Sequence, residues 1–220
     1  MKGKLLIVFY SKYGYTKRYV DILGNAIGCD AVPADKVKAD MLAAYDKILY
    51  IGSVRGSMIN GFNKFSEYLG AVYKKLVVCG VGYSPFKNHI PARIKEGTIS
   101  VAYEKFIPVF YAQGGFDYNE LGKVEKMQVA LRVRQIKTAE VISDEETMLM
   151  NLVDKPIDEV KLENVKPLID FLEGRSVDEK LYSAPEITDP EEEKQFFEEL
   201  ESAAKAPENK QRALKKKLKK

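Results

Sequence analysis

The stretch from Ser11 to Lys17 follows an apolar run and contains residue types that bind phosphate. Ser11 and Thr16 supply hydroxyl groups, and Gly14 permits the left-handed backbone of a tight turn. A helix that opens near Thr16 would present unpaired N–H groups and a partial positive charge to a dianion. The pattern predicts a phosphate-binding loop, although a capping threonine and a turn glycine in an ordinary strand-to-helix connection have the same spacing.

Three further loops are rich in glycine, and each follows a predicted strand. They are GSVRGSMING (52–61), GVGYSP (80–85) and QGGFDY (113–118). In an open parallel sheet, such loops meet at the carboxyl ends of the strands, where ligands bind. They predict a site for a flat ligand. The residues predicted to hold it are Ser11, Lys12, Tyr13, Gly14, Tyr15, Thr16, Ser53, Val54, Arg55, Gly56, Gly82, Tyr83, Gly114 and Gly115.

Four single side chains near these loops are candidates for chemistry. Tyr83 either stacks on a bound ring or anchors its loop, and Arg55 either contacts the ligand or is solvated. His89 is either an acid–base group or an exposed loop residue. Cys79 lies within an apolar run and is predicted to be a buried packing residue. No catalytic residue is assigned.

Short apolar runs predict the elements that position these loops. The runs are rich in β-branched and aromatic residues and nearly continuous, which is typical of strands buried on both faces. They span residues 4–10, 47–53, 75–82 and 106–115, with a weaker edge strand over 30–37. Stretches with helical spacing lie at residues 16–28, 60–75 and 164–174. This alternation predicts an α/β fold with a doubly wound parallel sheet.

The composition changes near residue 175. Residues 186–201 carry eight acidic side chains against one Lys, and residues 205–220 carry eight basic side chains against one acid. We predict a single domain over residues 1–174 and a charged, largely mobile tail over residues 175–220, with a short acidic helix within it.

The overall composition excludes several classes of protein. The 220 residues have a formal net charge of +3, two Cys and one His. A net charge this small does not require a nucleic-acid partner. The low numbers of Cys and His disfavour a zinc cluster or a disulfide framework. No apolar run reaches the ~20 residues that cross a bilayer. The N-terminal run predicts a strand rather than a signal peptide, so we expect a cytoplasmic protein without a metal.

Residues 120–137 predict a basic amphipathic helix. Such a helix either packs on the sheet with a solvated basic rim, or lies on an anionic membrane or a partner. The lysine-rich end, KKKLKK (215–220), either keeps the chain soluble or adds affinity for anionic lipid or RNA. The two basic segments are therefore candidates for peripheral membrane contact.

Taken together, these motifs resemble flavodoxin-fold FMN proteins. Ser11, Gly14 and Thr16 match the family's S/T-x-T-G-x-T phosphate loop, with Tyr13 in place of the middle Thr. SKYGYTKRYV, YIGSVRGSMIN and FYAQGGFDYNEL resemble the branch that includes menaquinone-dependent protoporphyrinogen dehydrogenase, which often has Arg where this chain has Gln113. The resemblance covers residues 3 to about 173. It implies a five-stranded sheet of order 2-1-3-4-5 with helices on both faces, and an insertion over residues 117–162.

The resemblance also implies FMN at the loop Ser11–Lys17, which has no G-x-G-x-x-G spacing for a dinucleotide. The implied function is an FMN-dependent oxidoreductase that passes electrons from an organic donor, such as a porphyrinogen, to a quinone. Gly114 and Gly115 would leave room for a planar substrate. A flavodoxin-like electron carrier between redox proteins and a cofactor-free interaction module are the alternatives.

Overall fold

The computed structural model describes residues 3–205. Within this range the strands are β1 (Leu5–Tyr10), β2 (Asp30–Pro33), β3 (Lys47–Arg55), β4 (Met58–Ile59), β5 (Leu76–Gly82), β6 (Val109–Gln113), β7 (Gly115–Phe116), β8 (Ile157–Asp158) and β9 (Tyr182–Ser183). The α-helices are α1 (Tyr15–Ile27), α2 (Ala39–Ala43), α3 (Phe62–Phe65), α4 (Leu69–Val72), α5 (His89–Thr98), α6 (Lys123–Lys137), α7 (Asp144–Leu152), α8 (Lys166–Leu172) and α9 (Pro190–Lys205). None of these helices is long and apolar enough to cross a membrane.

Five parallel strands form the central sheet in the order β2-β1-β3-β5-β6. This confirms the predicted α/β fold and the strand order 2-1-3-4-5. β1 lies next to the edge strand β2, and its Val8 pairs with Val32 of β2 on one side and Tyr50 of β3 on the other. The sheet is wider than predicted, because β4 pairs antiparallel with β3 and β9 pairs antiparallel with β6.

Alternate residues of each central strand contribute to two cores, one on each face of the sheet. In β1, Leu6 and Val8 belong to the core that contains the residues of α3, α4 and α5. Ile7 belongs to the opposite core, which contains the residues of α1 and α8. Burial on both faces explains why the strands are continuous apolar runs.

The helix predicted over residues 60–75 is divided into α3 and α4 by a 3₁₀ turn. Its predicted apolar stripe is nonetheless buried, and consists of Phe62, Phe65, Leu69 and Val72. The division begins at Ser66, whose hydroxyl donates to the Asn63 carbonyl at 2.6 Å. A serine hydroxyl that bonds back to the preceding turn competes with the helical ladder, which accounts for the break.

The tail predicted to be mobile from residue 175 is instead packed on the domain in its described part. In β9, Tyr182 stacks on Phe110 with ring centroids 4.7 Å apart, and the buried Lys95 ammonium donates to the Ala184 carbonyl at 2.8 Å. Phe196 of α9 is buried against Phe106. The predicted boundary is therefore wrong for the chain as far as α9, and residues 206–220 lie outside the described residues.

The predicted insertion leaves and re-enters the domain at one point. β7 and β8 pair antiparallel, with Gly115 opposite Asp158 and Phe116 opposite Ile157. Residues 117–156 between them carry α6 and α7, which contact each other. We refer to the β7–β8 pair as the clasp.

Candidate functional site

The loop between β1 and α1 has the geometry of an anion-binding loop. Gly14 is the N-cap of α1 and has a left-handed backbone, with φ of 87°. The N–H of Arg18 donates to the Gly14 carbonyl at 3.0 Å, and the N–H of Lys17 donates to Ser11 Oγ at 3.1 Å. The N–H groups of Tyr15 and Thr16, in the first turn, have no intrahelical acceptor. The loop therefore offers free donors at the positive end of a helix.

Thr16 adds a hydroxyl group to this loop. Its side chain is only 2% exposed. The hydroxyl makes no hydrogen bond to any residue between 3 and 205. Every side-chain oxygen in that range that is fully enclosed has a hydrogen-bond partner, so the unbonded Thr16 oxygen must retain some contact with solvent. A phosphate at the helix N-terminus would supply the missing partner.

Lys12 and Tyr13, both predicted to hold the cofactor, contact the insertion. The Lys12 ammonium forms an ion pair with the Glu125 carboxylate in the first turn of α6. The Tyr13 hydroxyl accepts a long hydrogen bond from the N–H of Gly122, at 3.5 Å. The start of α6 therefore lies beside the anion-binding loop, which the sequence did not indicate.

A cavity of about 310 Å³ lies at the carboxyl ends of β3, β5 and β6. Its volume is at the lower end of the range for small-molecule sites. Four of the predicted site residues line it, namely Val54, Gly56, Gly82 and Tyr83. The other lining residues are Ser57, Ser84, Ile90, Arg93, Tyr111 and Glu145. The Tyr111 hydroxyl donates to the Ser84 carbonyl at 2.6 Å, which fixes the loop after β5.

Tyr83 is held from two sides at the wall of this cavity. Its ring makes an edge contact with Phe116, with centroids 5.5 Å apart. Its carbonyl accepts a hydrogen bond from Gln113 Nε2 at 3.2 Å. Burial raises the pKa of the Tyr83 hydroxyl, so this side chain is neutral at physiological pH. Tyr83 thus presents a fixed, uncharged surface to the cavity.

Ser53 and Arg55 are not among the residues that line the cavity. The Ser53 hydroxyl accepts from Asn60 Nδ2, and its carbonyl accepts from the Asn60 N–H, both at 2.9 Å. These bonds hold the β3–β4 hairpin. Arg55 is exposed and donates to the Gln128 side chain of α6. Ser53 thus shapes the loop, and Arg55 joins it to the insertion.

The space beside Gly114 and Gly115, which was expected to be open for a planar substrate, is occupied by protein atoms. A Cβ atom at Gly115 would lie 2.3 Å from Cε1 of Tyr15 and 2.6 Å from the Ile157 carbonyl oxygen. A Cβ atom at Gly114 would lie 2.6 Å from Val81 Cγ1. The two glycines therefore allow the strand end to approach the Tyr15 ring, and leave no space there for a planar substrate.

A hydrogen-bond network fixes the carboxyl end of β6 behind these glycines. The Gln113 carbonyl accepts from the Tyr19 hydroxyl and from Asn164 Nδ2, the latter at 3.1 Å. Asn164 also donates to the Tyr19 hydroxyl at 3.0 Å. The network joins β6 to α1 and to the chain before α8, so Gln113 acts here as a structural residue.

The charged wall of the cavity was not predicted. Arg93 of α5 donates to the Glu145 carboxylate of α7 at 3.1 Å. His89, a candidate acid–base group, is exposed on α5 with its Nε2 3.8 Å from Glu145. In the sequence, the only feature that could have indicated this wall is the spacing of Ile90 and Arg93, which lie one helical turn apart after a glycine-rich loop. Nothing local indicated Glu145, which reaches the site from the insertion.

These residues fit FMN in two respects. The anion-binding loop has free donors and one unbonded hydroxyl for a single phosphate group. The cavity begins at the end of β3, the strand paired with β1, and neighbouring strands are about 5 Å apart, so one mononucleotide could extend from the loop to the cavity. Because protein atoms occupy the space beside Gly114 and Gly115, the cofactor would have to lie on the side of the site formed by β3 and β5.

Several solved flavodoxins match part of this chain. Two-electron reduced flavodoxin from Megasphaera elsdenii is 17% identical, with a TM-score of 0.36, and the match covers 49% of this chain and 82% of that chain. Oxidised Flavodoxin 2 from Bacillus cereus is 19% identical, with a TM-score of 0.34, and the match covers 50% of this chain and 84% of that chain. No curated protein matches the chain.

Among protein families, the one described as Flavodoxin domain matches residues 6–141. This range is more than half of the chain, and it includes the anion-binding loop, four of the five parallel strands in full and all of β1 except Leu5. The chain therefore belongs to the flavodoxin domain family.

Proposed function

We propose that the protein is an FMN-dependent oxidoreductase that passes electrons between an organic donor and a quinone. Membership of the flavodoxin domain family supports FMN as the cofactor. The observation that carries the proposal is the loop at the start of α1, where Gly14 is left-handed and the Thr16 hydroxyl is unbonded. A mononucleotide has one phosphate group, and this loop has donors for one.

The chain's own residues would bind the cofactor and control access to it. When bound, FMN supplies the electron-transfer chemistry. The N–H groups of Tyr15 and Thr16 would hold the phosphate. Val54 and Tyr83 would border the ring and exclude water from it, because both line the cavity. The Arg93–Glu145 pair would orient a polar substituent at the opposite wall.

The phosphate loop is tested with two glycines that share a backbone geometry. Gly14 and Gly28 are both left-handed, with φ of 87° and 72°, and a Cβ atom at either would meet nothing within 4 Å. Alanine at either position costs about 1 kcal/mol of backbone strain. Gly14→Ala should weaken FMN binding at least tenfold, and Gly28→Ala, at the far end of α1, should not. Equal flavin affinity in the two variants would contradict the proposal that the loop at Gly14 binds the phosphate.

The hydroxyl is tested separately with Thr16→Val, which keeps the side-chain shape and removes the oxygen. We expect this variant to lose visible absorbance on gel filtration while its unfolding midpoint changes little. A purified wild-type chain that takes up no flavin at all would instead favour a cofactor-free interaction module.

The acceptor is tested by mixing the reduced holoprotein with menaquinone analogues. Rapid reoxidation that saturates with quinone supports the proposal, and porphyrinogens are the donors to test first, because the resemblance to the protoporphyrinogen dehydrogenase branch suggests them. Turnover without saturation, at a rate no higher than that of free FMN, would exclude a quinone site.

An electron carrier between redox proteins is a second candidate, favoured by one observation. The Tyr15 ring fills the space beside Gly114 and Gly115, which removes one place where a substrate would lie. A carrier needs an exposed cofactor edge and no substrate cavity. Fast electron transfer to a cytochrome or ferredoxin, with slow transfer to every quinone tested, would favour this candidate.

A further inference from the structure

Exposed apolar side chains are concentrated on the insertion. Within residues 3–205, ten large apolar side chains are exposed, and five of them lie between residues 124 and 142. Three are on α6, where Val124, Met127 and Leu131 are 60%, 66% and 57% exposed. Their spacing places them on one line along the helix. Apolar residues scattered singly over a surface need no explanation, but a line of them marks an interaction site.

The opposite side of α6 is occupied by contacts with the domain and with α7. Glu125 pairs with Lys12, and Arg132 pairs with Glu146 of α7 at 2.7 Å. Ile136 is buried. The helix is thus anchored by one side, and the line of Val124, Met127 and Leu131 is directed away from the domain.

Basic side chains border the exposed line. Residues 123–142 carry five basic residues against two acidic ones. Lys123, Arg134 and Lys137 are exposed and form no ion pair with any residue between 3 and 205. In helical projection, Lys123 and Arg134 fall beside Met127, on the side away from Glu125. We define the outer face of α6 as Val124, Met127 and Leu131 together with these three cations.

We propose that the outer face of α6 docks on an anionic lipid surface. A helix that presents an apolar line with a cationic border lies in the plane of a bilayer, with its apolar side chains among the headgroups and its cations near the lipid phosphates. The exposed side chains of α6 include no acid, so the outer face is complementary in charge to anionic headgroups along the whole helix. Its composition therefore fits a fluid anionic surface better than a folded partner.

This docking would place the redox site against the membrane. The side chain of Gln128 accepts a hydrogen bond from Arg55, the last residue of β3, and Glu125 contacts the anion-binding loop. A helix with its side chains is about 10–12 Å across. If FMN occupies the site as proposed above, lipid docking holds it about one helix diameter from the bilayer, where a lipid-soluble acceptor is concentrated.

The chain contains no Trp, so single-Trp variants report on chosen positions. Leu131→Trp places the probe on the outer face, and Leu162→Trp places it at an exposed leucine (49%) after β8, outside the segment between β7 and β8. With vesicles of phosphatidylglycerol and phosphatidylcholine, the emission of Leu131→Trp should shift to the blue and that of Leu162→Trp should not. The basic residues 215–220 cannot produce this difference, because both variants retain them.

A second comparison uses the full chain without a probe. Met127→Gln with Leu131→Gln should reduce binding to the same vesicles at least tenfold, while Leu162→Gln has no effect. Raising the salt concentration should weaken wild-type binding, and vesicles of phosphatidylcholine alone should bind poorly. Far-ultraviolet circular dichroism establishes that the variants are folded.

Three results would overturn the proposal. They are an unchanged emission of Leu131→Trp, equal vesicle binding by the wild type and the glutamine variants, and self-association through the outer face without vesicle binding. None of these measurements depends on bound flavin. A chain that binds vesicles but not FMN would refute the proposed function alone, and one that binds FMN but not vesicles would refute only the docking.

Discussion

The docking of α9 offers a direct test of the C-terminal structure. Phe196 is 7% exposed, and its ring centroid lies 5.6 Å from that of Phe106 and 5.8 Å from that of Phe197. Replacing a buried Phe with Ala costs about 3–5 kcal/mol. Phe196 is the only fully buried residue of its small cluster within the described range, so we take the lower end, about 3 kcal/mol.

A loss of about 3 kcal/mol raises the population of the undocked helix roughly 150-fold. In Phe196→Ala, α9 should therefore separate locally from the domain while the central sheet stays folded. Limited proteolysis measures this, because cleavage within the α9 region follows the population of the open form when closing is fast. Cleavage should accelerate by about two orders of magnitude, approaching the rate for an unfolded segment.

Glu198→Ala is the matched control, because Glu198 lies on the exposed side of the same helix. It should leave the cleavage rate within about twofold, since exposed substitutions usually change stability by less than 0.5 kcal/mol. Equal cleavage of Phe196→Ala and wild type would show that the Phe196 contacts do not hold α9, and would refute the packing described above.

Three further predictions concern other parts of the chain. Gly115→Ala should lower the free energy of unfolding by about 1–3 kcal/mol, measured in urea, because its Cβ would overlap the Tyr15 ring. Burial raises the pKa of the Cys79 thiol to about 12, so a thiol reagent at pH 8 should modify Cys29 first and Cys79 only after denaturation. The stability that this thiol contributes is complete below its ordinary pKa of 9.0 and is lost as pH rises towards 12. Ser143→Ala, which removes the capping box of α7, should cost about 1 kcal/mol locally and increase amide exchange in that helix.

The central sheet could be predicted from the sequence because its signal is local. Each parallel strand buried on both faces must be apolar at nearly every position, and the runs that contain Ile7 and Val78 meet that requirement. The left-handed turn at Gly14 could be predicted equally well, because its backbone requires a residue that tolerates positive φ. These constraints act within a few residues, so a single sequence contains them.

The packed C-terminal segment could not be predicted from composition. Tyr182 and Phe196 are isolated apolar residues in a polar stretch, and the average over that stretch indicates a tail. What matters is the surface each one meets: Tyr182 stacks on Phe110, and Phe196 packs on Phe106. A few specific contacts can offset the cost of ordering, but their partners lie far away in sequence.

Six of the ten residues that line the cavity were not predicted, for a related reason. Val54 and Gly82 lie at the carboxyl ends of β3 and β5, so topology alone places them at the sheet edge. Glu145 reaches the same cavity from α7, in the insertion, and no local pattern determines where an inserted helix packs. The expectation that Gly115 leaves room for a substrate was wrong, because a glycine allows the close approach of a neighbouring side chain as readily as that of a ligand.

The clasp has a consequence for how the sequence of this protein can evolve. Phe116 and Ile157 are directly paired, so the two ends of the inserted segment stand about 5 Å apart whatever lies between them. The ion pair between Lys12 and Glu125 is largely exposed, and such pairs contribute little to stability. The segment that carries α6 and α7 can therefore be lengthened, shortened or exchanged for a turn without displacing the sheet. Substitutions on the outer face of α6 would alter what the protein docks to and leave the phosphate loop intact, so docking and phosphate binding can evolve independently, whereas Glu145 of the same segment remains tied to the cavity.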